Sequence, residues 1–219
     1  VTNALSGLGF RAPHTGKPYS EALLFGLSGG IAFGYFTFAY KGHLPHLALL
    51  TRNTFSPLDT LFERLGGVQD LRQSTKAEIA EKNLKEALDD HGVVIVWADI
   101  WSLPHLGLPQ NTGMWANFPM LAIGYDENHV FVVGESQTPS AVPHEVFTAA
   151  RAKVKQDRFK QITLGAPNEQ SLANAVSDGI QHSLTMMLEN PPAGAKQNWG
   201  LDGMNTLIAA RPAPPRAAG

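Results

Sequence analysis

The sequence contains no cysteine among its 219 residues. Disulfide bonds, thiolate nucleophiles and thiolate metal sites are therefore excluded within this chain. Charged residues are also few, at 16% of the total. The 17 Lys and Arg residues and the 19 Asp and Glu residues give a net charge of −2. Since there is no dense basic run, the charge pattern gives no reason to expect nucleic acid or an acidic membrane as a partner.

Long apolar runs are missing as well. The longest one near the N-terminus, residues 31–40, is interrupted by glycine and polar residues and is far too short to span a bilayer. No secretory signal is recognisable. We therefore expect a cytoplasmic protein without membrane contact. A hydrophobic content of 43% predicts a globular chain with one sizeable core.

Helical patterns lie at both ends of the chain. Residues 1–10 predict a helix whose beginning is missing, and Ser20 stands at the N-cap position of a second helix. The amphipathic stretch 74–92 predicts a longer helix, capped by Ser74 or Thr75. Further helices are predicted at residues 56–67, 143–155 and 171–190.

Strand patterns occupy the middle of the chain. "VVIVWAD", residues 93–99, predicts a buried strand, and the apolar runs within 120–133 flank a polar turn and predict a β-hairpin. Residues 31–40 predict an extended stretch, and 159–165 predict an edge strand. The order is helices, strands and helices again, which favours an α+β fold with a mostly antiparallel sheet.

The segment that follows the predicted buried strand is the first candidate functional region. It is a Pro-rich loop of about 18 residues, and loops of that length in a compact domain are usually functional or disordered. Asp99, at the end of the strand, is either a site carboxylate or a cap of the loop. Trp101 and Trp115 either line a binding groove or anchor the loop.

Histidines give no clear metal site. Only His43 and His46 stand close together, in the loop-like "GHLPH", and they are either a metal pair or surface residues. We favour surface residues, and we expect no metal and no cofactor. The residue patterns alone do not identify an activity.

Four motifs, taken in order, carry a resemblance to a known family. They are "YSEALLFGLSGGIAFGY", "LTRNTFSPLDTLFERLGG", "VVIVWADIWSLPHLG" and "MLAIGYDENHVFVVGES". In this order and spacing they resemble the N-terminal domain of the butirosin-biosynthesis acyltransferase family, over residues 1 to about 150. The stretch from about residue 168 resembles the start of the helical domain that follows it.

The resemblance implies a fold and a domain division. The fold is papain-like, similar to that of bacteriocin-leader cysteine peptidases, with N-terminal helices, a mostly antiparallel sheet and additional C-terminal helices. Residues 1–165 would form the acyltransferase-type domain, with a truncated N-terminus. Residues 166–211 would form a helical segment that breaks off where the family continues, and 212–219 a disordered tail.

The resemblance also implies a chemistry. A cysteine at the start of the first helix attacks a thioester, a histidine at the head of a hairpin strand takes the thiol proton, and a carboxylate after the next strand orients the histidine. The implied partners are an acyl carrier protein, with an (amino)acyl group on its phosphopantetheine, and a small-molecule amine acceptor.

This sequence departs from that pattern at the reacting residues. The family cysteine would stand immediately before Val1, and the histidine position falls on Phe118, whose ring accepts no proton. Glu135 fits the position of the triad acid. His105, in the long loop, is the best substitute base.

Three functions follow as hypotheses. The first is an acyltransferase of secondary metabolism whose base comes from elsewhere. The second is a non-catalytic pseudoenzyme that binds a carrier protein or a small metabolite in the same groove. The third is a cysteine-peptidase-like hydrolase, which needs the same missing thiol.

Overall fold

The computed structural model of the chain describes residues 1–39, 41–42, 46–55, 57–67, 69–109, 115–134, 138–168 and 172–210. Within them the chain forms two compact units. Unit 1 is built from residues 1–19 and 67–167, and unit 2 from residues 20–66 and the chain from residue 168 onward. One unit boundary falls close to the predicted division at residue 165. The C-terminal helices, however, group with residues 20–66.

Unit 1 contains an antiparallel sheet, which confirms the α+β prediction. Its helices are α1 (Thr2–Gly7), α4 (Ala77–His91) and α5 (His144–Ala152), and its strands are β3 (Gln69–Arg72), β4 (Val94–Asp99), β5 (Asn117–Tyr125), β6 (His129–Val133), β7 (Ser140–Pro143) and β8 (Gln161–Leu164). The strand order across the sheet is β3-β8-β4-β5-β6-β7, and all the paired neighbours run antiparallel.

The core of unit 1 lies between one face of this sheet and the helices α4 and α5. Val94, Val96 and Ala98 of β4 alternate toward this core, as the period of a strand requires. Met120 and Ala122 of β5 face the same way. The remaining members are Leu84, Ala87, Leu88, Leu103, Val130, Val132, Val142, Phe147 and Ala150.

The predicted hairpin is confirmed, and it contains a β-bulge. Leu121 and Ala122 pair with Val133 and Val132 of β6, but the next residue of β5 that finds a partner is Gly124. Ile123 is therefore an extra residue in β5. A bulge bends the strand locally and reverses the alternation beyond it. Tyr125 consequently returns to the core face.

Two details of the sheet and helix boundaries were predicted wrongly. β8 is not an edge strand, because it lies between β3 and β4 and all its residues are buried. The short strands β3 and β7, which the sequence analysis missed, form the edges. At α4 the N-cap is Lys76 without a side-chain cap, although Gly92 ends the helix in the left-handed conformation as predicted.

Unit 2 combines helices with one small hairpin. Its elements are α2 (Glu21–Leu27), α3 (Pro57–Leu65), α6 (Leu172–Leu188), α7 (Gly200–Ala209), β1 (Gly34–Phe38) and β2 (His46–Leu50). The predicted cap of α2 is confirmed, since the Ser20 hydroxyl accepts a hydrogen bond from the Leu23 N–H at 3.2 Å. α2, α3 and α6 contact one another pairwise. The β1–β2 hairpin packs on Trp199, which is buried with Ala32, Met186 and Ala195.

Glycine permits the close approach of α2 and α6. Gly179 of α6 lies directly against the backbone of α2, where an added Cβ would collide with the carbonyl oxygen of Gly26. Gly26 itself faces open space, because a Cβ there would meet no atom within 4 Å. The helix crossing therefore requires a residue without a side chain at position 179 of α6, whereas position 26 of α2 would tolerate a side chain.

A hydrogen-bonded arginine joins the helices α2, α3 and α6 of unit 2. Arg64, in the last turn of α3, donates to the carbonyl oxygen of Leu27 at the end of α2 and to Nδ1 of His182 on α6. An arginine has no acceptor, so His182 must offer a lone pair and be neutral. Burial and the Arg64 charge both lower the pKa of His182. The ring also fits beneath Gly29, where a Cβ would approach it to 2.9 Å.

Among the helices in the described ranges, none combines the length and the apolar character that crossing a bilayer requires.

The two glycines at the α2–α6 crossing provide a matched test. Gly179→Ala should lower the free energy of unfolding by about 1–3 kcal/mol, because its methyl group overpacks a backbone contact. Gly26→Ala should raise it by about 0.5–1 kcal/mol, because alanine restricts the unfolded chain and meets no obstacle. Urea denaturation of both variants measures the difference. Equal effects of the two substitutions would show that the helices do not cross at Gly179.

His182 should make the stability of unit 2 depend on pH. Because its folded-state pKa lies below the unfolded value of about 6.5, the unfolded chain takes up the proton first. Stability is complete above about pH 6.5 and falls as the pH drops from there to the folded-state pKa. His182→Gln keeps an acceptor for Arg64 but does not titrate. We expect urea denaturation at about pH 7.5 and about pH 5 to show a smaller acid loss in this variant than in the wild type; equal losses would contradict the assignment.

Candidate functional site

The ends of β4 and β5 bring together the candidate residues of unit 1. Asp99, the last residue of β4, lies opposite Asn117, the first residue of β5. The Asp99 side chain has no exposed surface. Its oxygens accept hydrogen bonds from Ser102 Oγ at 2.6 Å and from the Ala116 N–H at 2.7 Å, and Lys153 Nζ lies 2.7 Å away.

These partners decide the charge of Asp99. Burial by itself would raise the pKa of this carboxyl group, but the hydrogen bonds from Lys153, Ser102 and the Ala116 backbone outweigh it. The resulting pKa lies below the usual value, so Asp99 is a carboxylate at neutral pH. Three donors surround it, so its oxygens are already engaged in the structure of the protein.

Asp99 thereby joins the two ends of the long loop. Ser102 lies three residues after it, at the start of the loop, and Ala116 is the residue just before β5. Lys153, which follows α5, adds a bond to the Ser102 hydroxyl at 3.2 Å. Of the two roles that the sequence left open for Asp99, this geometry matches the cap of the loop.

A second polar group lies beside the first, at Asn117. Asn117 Nδ2 donates to Asp157 Oδ2 at 3.1 Å, and the other oxygen of Asp157 lies 3.4 Å from Lys160 Nζ. The ammonium of Lys160 sits 4.5 Å from the centre of the Trp97 ring, a cation–π contact. The Trp97 backbone N–H also donates to the Lys160 carbonyl.

A buried arginine holds the segment that supplies these partners. Arg151, near the end of α5, donates to the Phe159 carbonyl and to the Gln161 side chain of β8, each at 3.2 Å. Its guanidinium lies 5.7 Å and 5.8 Å from the ring centres of Phe147 and Phe159. Burial lowers the pKa of Arg151 to about 10, so the side chain remains charged at neutral pH. Arg151 thus ties the segment carrying Lys153, Asp157 and Lys160 to the sheet.

Phe118 and Asn117 lie on opposite faces of the sheet. Phe118 is opposite Ala98 and follows the alternation of Met120, so it belongs to the face that α4 and α5 cover, although 41% of it is exposed. Asn117 follows the alternation of Leu121, which faces α1. The residue at the family's histidine position therefore points away from the first helix.

The other predicted site residues lie around the long loop. Trp101 is half-buried in a short 3-10 turn, Ile100–Ser102, and Trp115 is 63% exposed just before β5. His105 lies in the next 3-10 turn, Pro104–Leu106, and is largely exposed. Partial burial of its ring lowers the pKa of His105. Glu135 lies outside the described residues, as does His43.

Sequence reasoning missed the residues that complete both polar groups. Lys153, Asp157 and Lys160 were not singled out, and neither was Trp97. No local pattern marks the contacts of Lys153 with Asp99, of Asp157 with Asn117 and of Lys160 with Trp97, because the two residues of each pair lie far apart in the chain. In the described part of the chain, no group of three or more His, Asp or Glu side chains comes together in a way that could hold a metal ion.

The arrangement suits binding better than proton transfer. Both carboxylates are paired with lysines, and the Asn117 amide is bonded to Asp157. Such paired groups fix the backbone around them. The surfaces that remain open at this end of the sheet include the aromatic rings of Phe118 and Trp115. Exposed aromatic rings supply large contact areas at binding sites.

Substitution of Asp99 tests its role as the clamp of the loop. Asp99→Asn should lower the free energy of unfolding by about 1.5–3 kcal/mol, because a buried, charge-assisted hydrogen-bond acceptor is lost. Asp157→Asn is the matched control: its salt bridge is partly exposed and should contribute only about 0–1 kcal/mol. Urea denaturation measures both. If Asp99→Asn were no more destabilising than Asp157→Asn, Asp99 would not hold the loop.

Comparison with known proteins adds the family. The chain matches no curated protein. Residues 6–135, more than half of the chain, match the family model described as "Butirosin biosynthesis protein H, N-terminal". This span includes both strand ends of the candidate site. The chain therefore belongs to the butirosin biosynthesis protein H N-terminal family.

Proposed function

We propose that the chain is a binding protein of acyl-transfer chemistry in secondary metabolism. Its partner is an acyl carrier protein with an acyl group on phosphopantetheine, held at the ends of β4 and β5. Family membership supports the biosynthetic setting, because the family is described by its part in butirosin biosynthesis. The acyl-transfer chemistry implied by the resemblance supports the carrier as partner.

The observation that carries the proposal is Phe118. It stands where the resemblance requires the imidazole that takes the thiol proton, and a phenyl ring has no atom that accepts a proton. It also lies on the sheet face opposite α1, the helix at whose start the family's nucleophile is expected. Asn117, on the α1 side, is an amide already bonded to Asp157. A proton relay at this position has no base.

The exposed rings at the same end of the sheet support binding. Trp115 is the more open of the two, and the Asp99 clamp fixes the backbone of its neighbour, Ala116. A backbone that is already fixed beside an aromatic residue reduces the entropy lost when a partner covers the ring. Interfaces are enriched in such aromatic anchors, and a few of them carry most of the binding energy.

One observation favours a second candidate, acyl transfer to an amine with His105 as the base. The pKa of His105 is lowered, so its imidazole is neutral at physiological pH and able to accept a proton. It also lies in the loop whose ends Asp99 joins. In this candidate, a thioester and a small amine would meet beside that loop.

A binding assay with the full chain separates the two candidates. The probe is a holo acyl carrier protein loaded with a labelled butyryl group, with a simple primary amine as acceptor. We expect binding without transfer of the label. Trp115→Ala should weaken binding about tenfold or more, which corresponds to about 1.4 kcal/mol. Phe38→Ala, an exposed aromatic of unit 2, is the matched control and should bind as the wild type does.

Two further variants test the chemistry. Phe118→His should yield no turnover, because the added imidazole would lie on the face opposite α1. His105→Ala should leave binding intact. If the wild type transfers the label and the His105→Ala variant does not, the second candidate replaces the binding proposal. Turnover gained in Phe118→His, or absence of carrier binding, would contradict the binding proposal.

A further inference from the structure

An open depression lies on the α1 side of the sheet in unit 1. Asn3 and Ser6 of α1 form one wall, Leu121 and Ile123 of β5 form the floor together with Val133 of β6, and Val93 closes one end. Its volume is about 230 Å³. For comparison, a cavity of about 150 Å³ lined by aliphatic side chains holds a benzene molecule. The depression can therefore accommodate a short hydrocarbon chain.

Two residues of β5 give this depression most of its floor. Residues two apart in a strand face the same side, and Leu121 and Ile123 accordingly both line the α1 side. Ile123 is the extra residue of the bulge, without a partner in the ladder to β6. Tyr125, beyond the bulge, returns to the core face. The apolar floor on β5 therefore ends at Ile123.

The lining defines what can bind there. None of the lining residues is charged: the floor is aliphatic, and the rim offers the neutral amide of Asn3 and the hydroxyl of Ser6. A charged group placed in it would lose hydration without gaining an ion pair. Gly7 keeps the wall open, because even a Cβ at this position would approach Val93 to 3.1 Å. An uncharged, flexible aliphatic chain with one polar end matches these surfaces.

We propose that this depression is an acyl-chain site that binds the short, uncharged aliphatic acyl group of a thioester. The assignment rests on the proposed function, since it is that function which brings an acyl thioester to the protein. β5 connects the two regions: Asn117 and Leu121 follow the same alternation and lie roughly 13 Å apart along the strand. An acyl chain seated on Leu121 and Ile123 would extend along the sheet face that carries Asn117.

The test uses thioesters of N-acetylcysteamine, which reproduce the end of the phosphopantetheine arm without a carrier protein. Acetyl, butyryl, hexanoyl and succinyl thioesters are titrated into the full chain, and binding is followed by NMR. Affinity should rise about tenfold from acetyl to hexanoyl as buried methylene groups are added. The succinyl thioester, which ends in a carboxylate, should bind no better than the acetyl thioester. Equal affinity for all four would overturn the proposal.

Substitutions that fill the depression from its floor and from its wall provide a second test. Ile123→Phe and Ser6→Leu should each weaken hexanoyl binding about tenfold and leave acetyl binding unchanged. Ile79→Phe, the same substitution at an exposed position of α4, is the matched control and should bind as the wild type does. Because Ser6→Leu alters only a half-buried rim residue, it keeps the test valid if Ile123→Phe fails to fold. Hexanoyl binding unaffected in the folded fillers would overturn the site.

The outcomes separate this site from the proposed function. If a carrier protein binds with the same affinity whether it bears an acetyl or a hexanoyl group, the acyl-chain site is wrong while carrier binding stands. If hexanoyl thioester binds and the fillers abolish it, but no carrier protein binds, the site stands and the carrier proposal is wrong.

Discussion

A carboxylate without exposed surface is the constraint on which unit 1 depends. An ionised carboxylate loses its hydration on burial and is tolerated only when hydrogen-bond donors replace the water. Asp99 finds these donors in three separate parts of the chain: the start of the loop, the residue before β5 and the end of α5. Satisfying one charge therefore fixes the relative positions of all three. Without this carboxylate, the two ends of the loop that carries Trp101 and Trp115 would not be held together.

The sequence predicted the elements whose pattern is local. β4 is a continuous apolar run, β5 and β6 flank a polar turn, and α4 has a clear amphipathic period, so all of these were found. Sheet position is not local. The pattern of residues 159–165 predicts an edge strand, yet all four residues of β8 are buried and the strand lies between β3 and β4. β3 and β7 were missed because an edge strand needs no apolar run.

The candidate site shows the same division between local and distant information. Asp99 was found because a carboxylate at the end of a buried strand is conspicuous in a sequence. Lys153 and Asp157, which bind the side chains of Asp99 and Asn117, were not found from the sequence. Each of these pairs joins residues far apart in the chain. The bulge at Ile123 was also missed: one extra residue in a strand leaves no trace in an apolar run such as "MLAIGY".

The glycine contacts of unit 2 bear on how the family segment folds. The matched span, residues 6–135, contains α2 and α3 but not α6. Within unit 2, Gly26 of α2 and Arg64 of α3 find their partners Gly179 and His182 on α6. An arginine that has lost such a partner must recover water, and a helix that has lost such a neighbour exposes its apolar face. The family segment of this chain is therefore completed by α6, a helix that lies beyond the matched span.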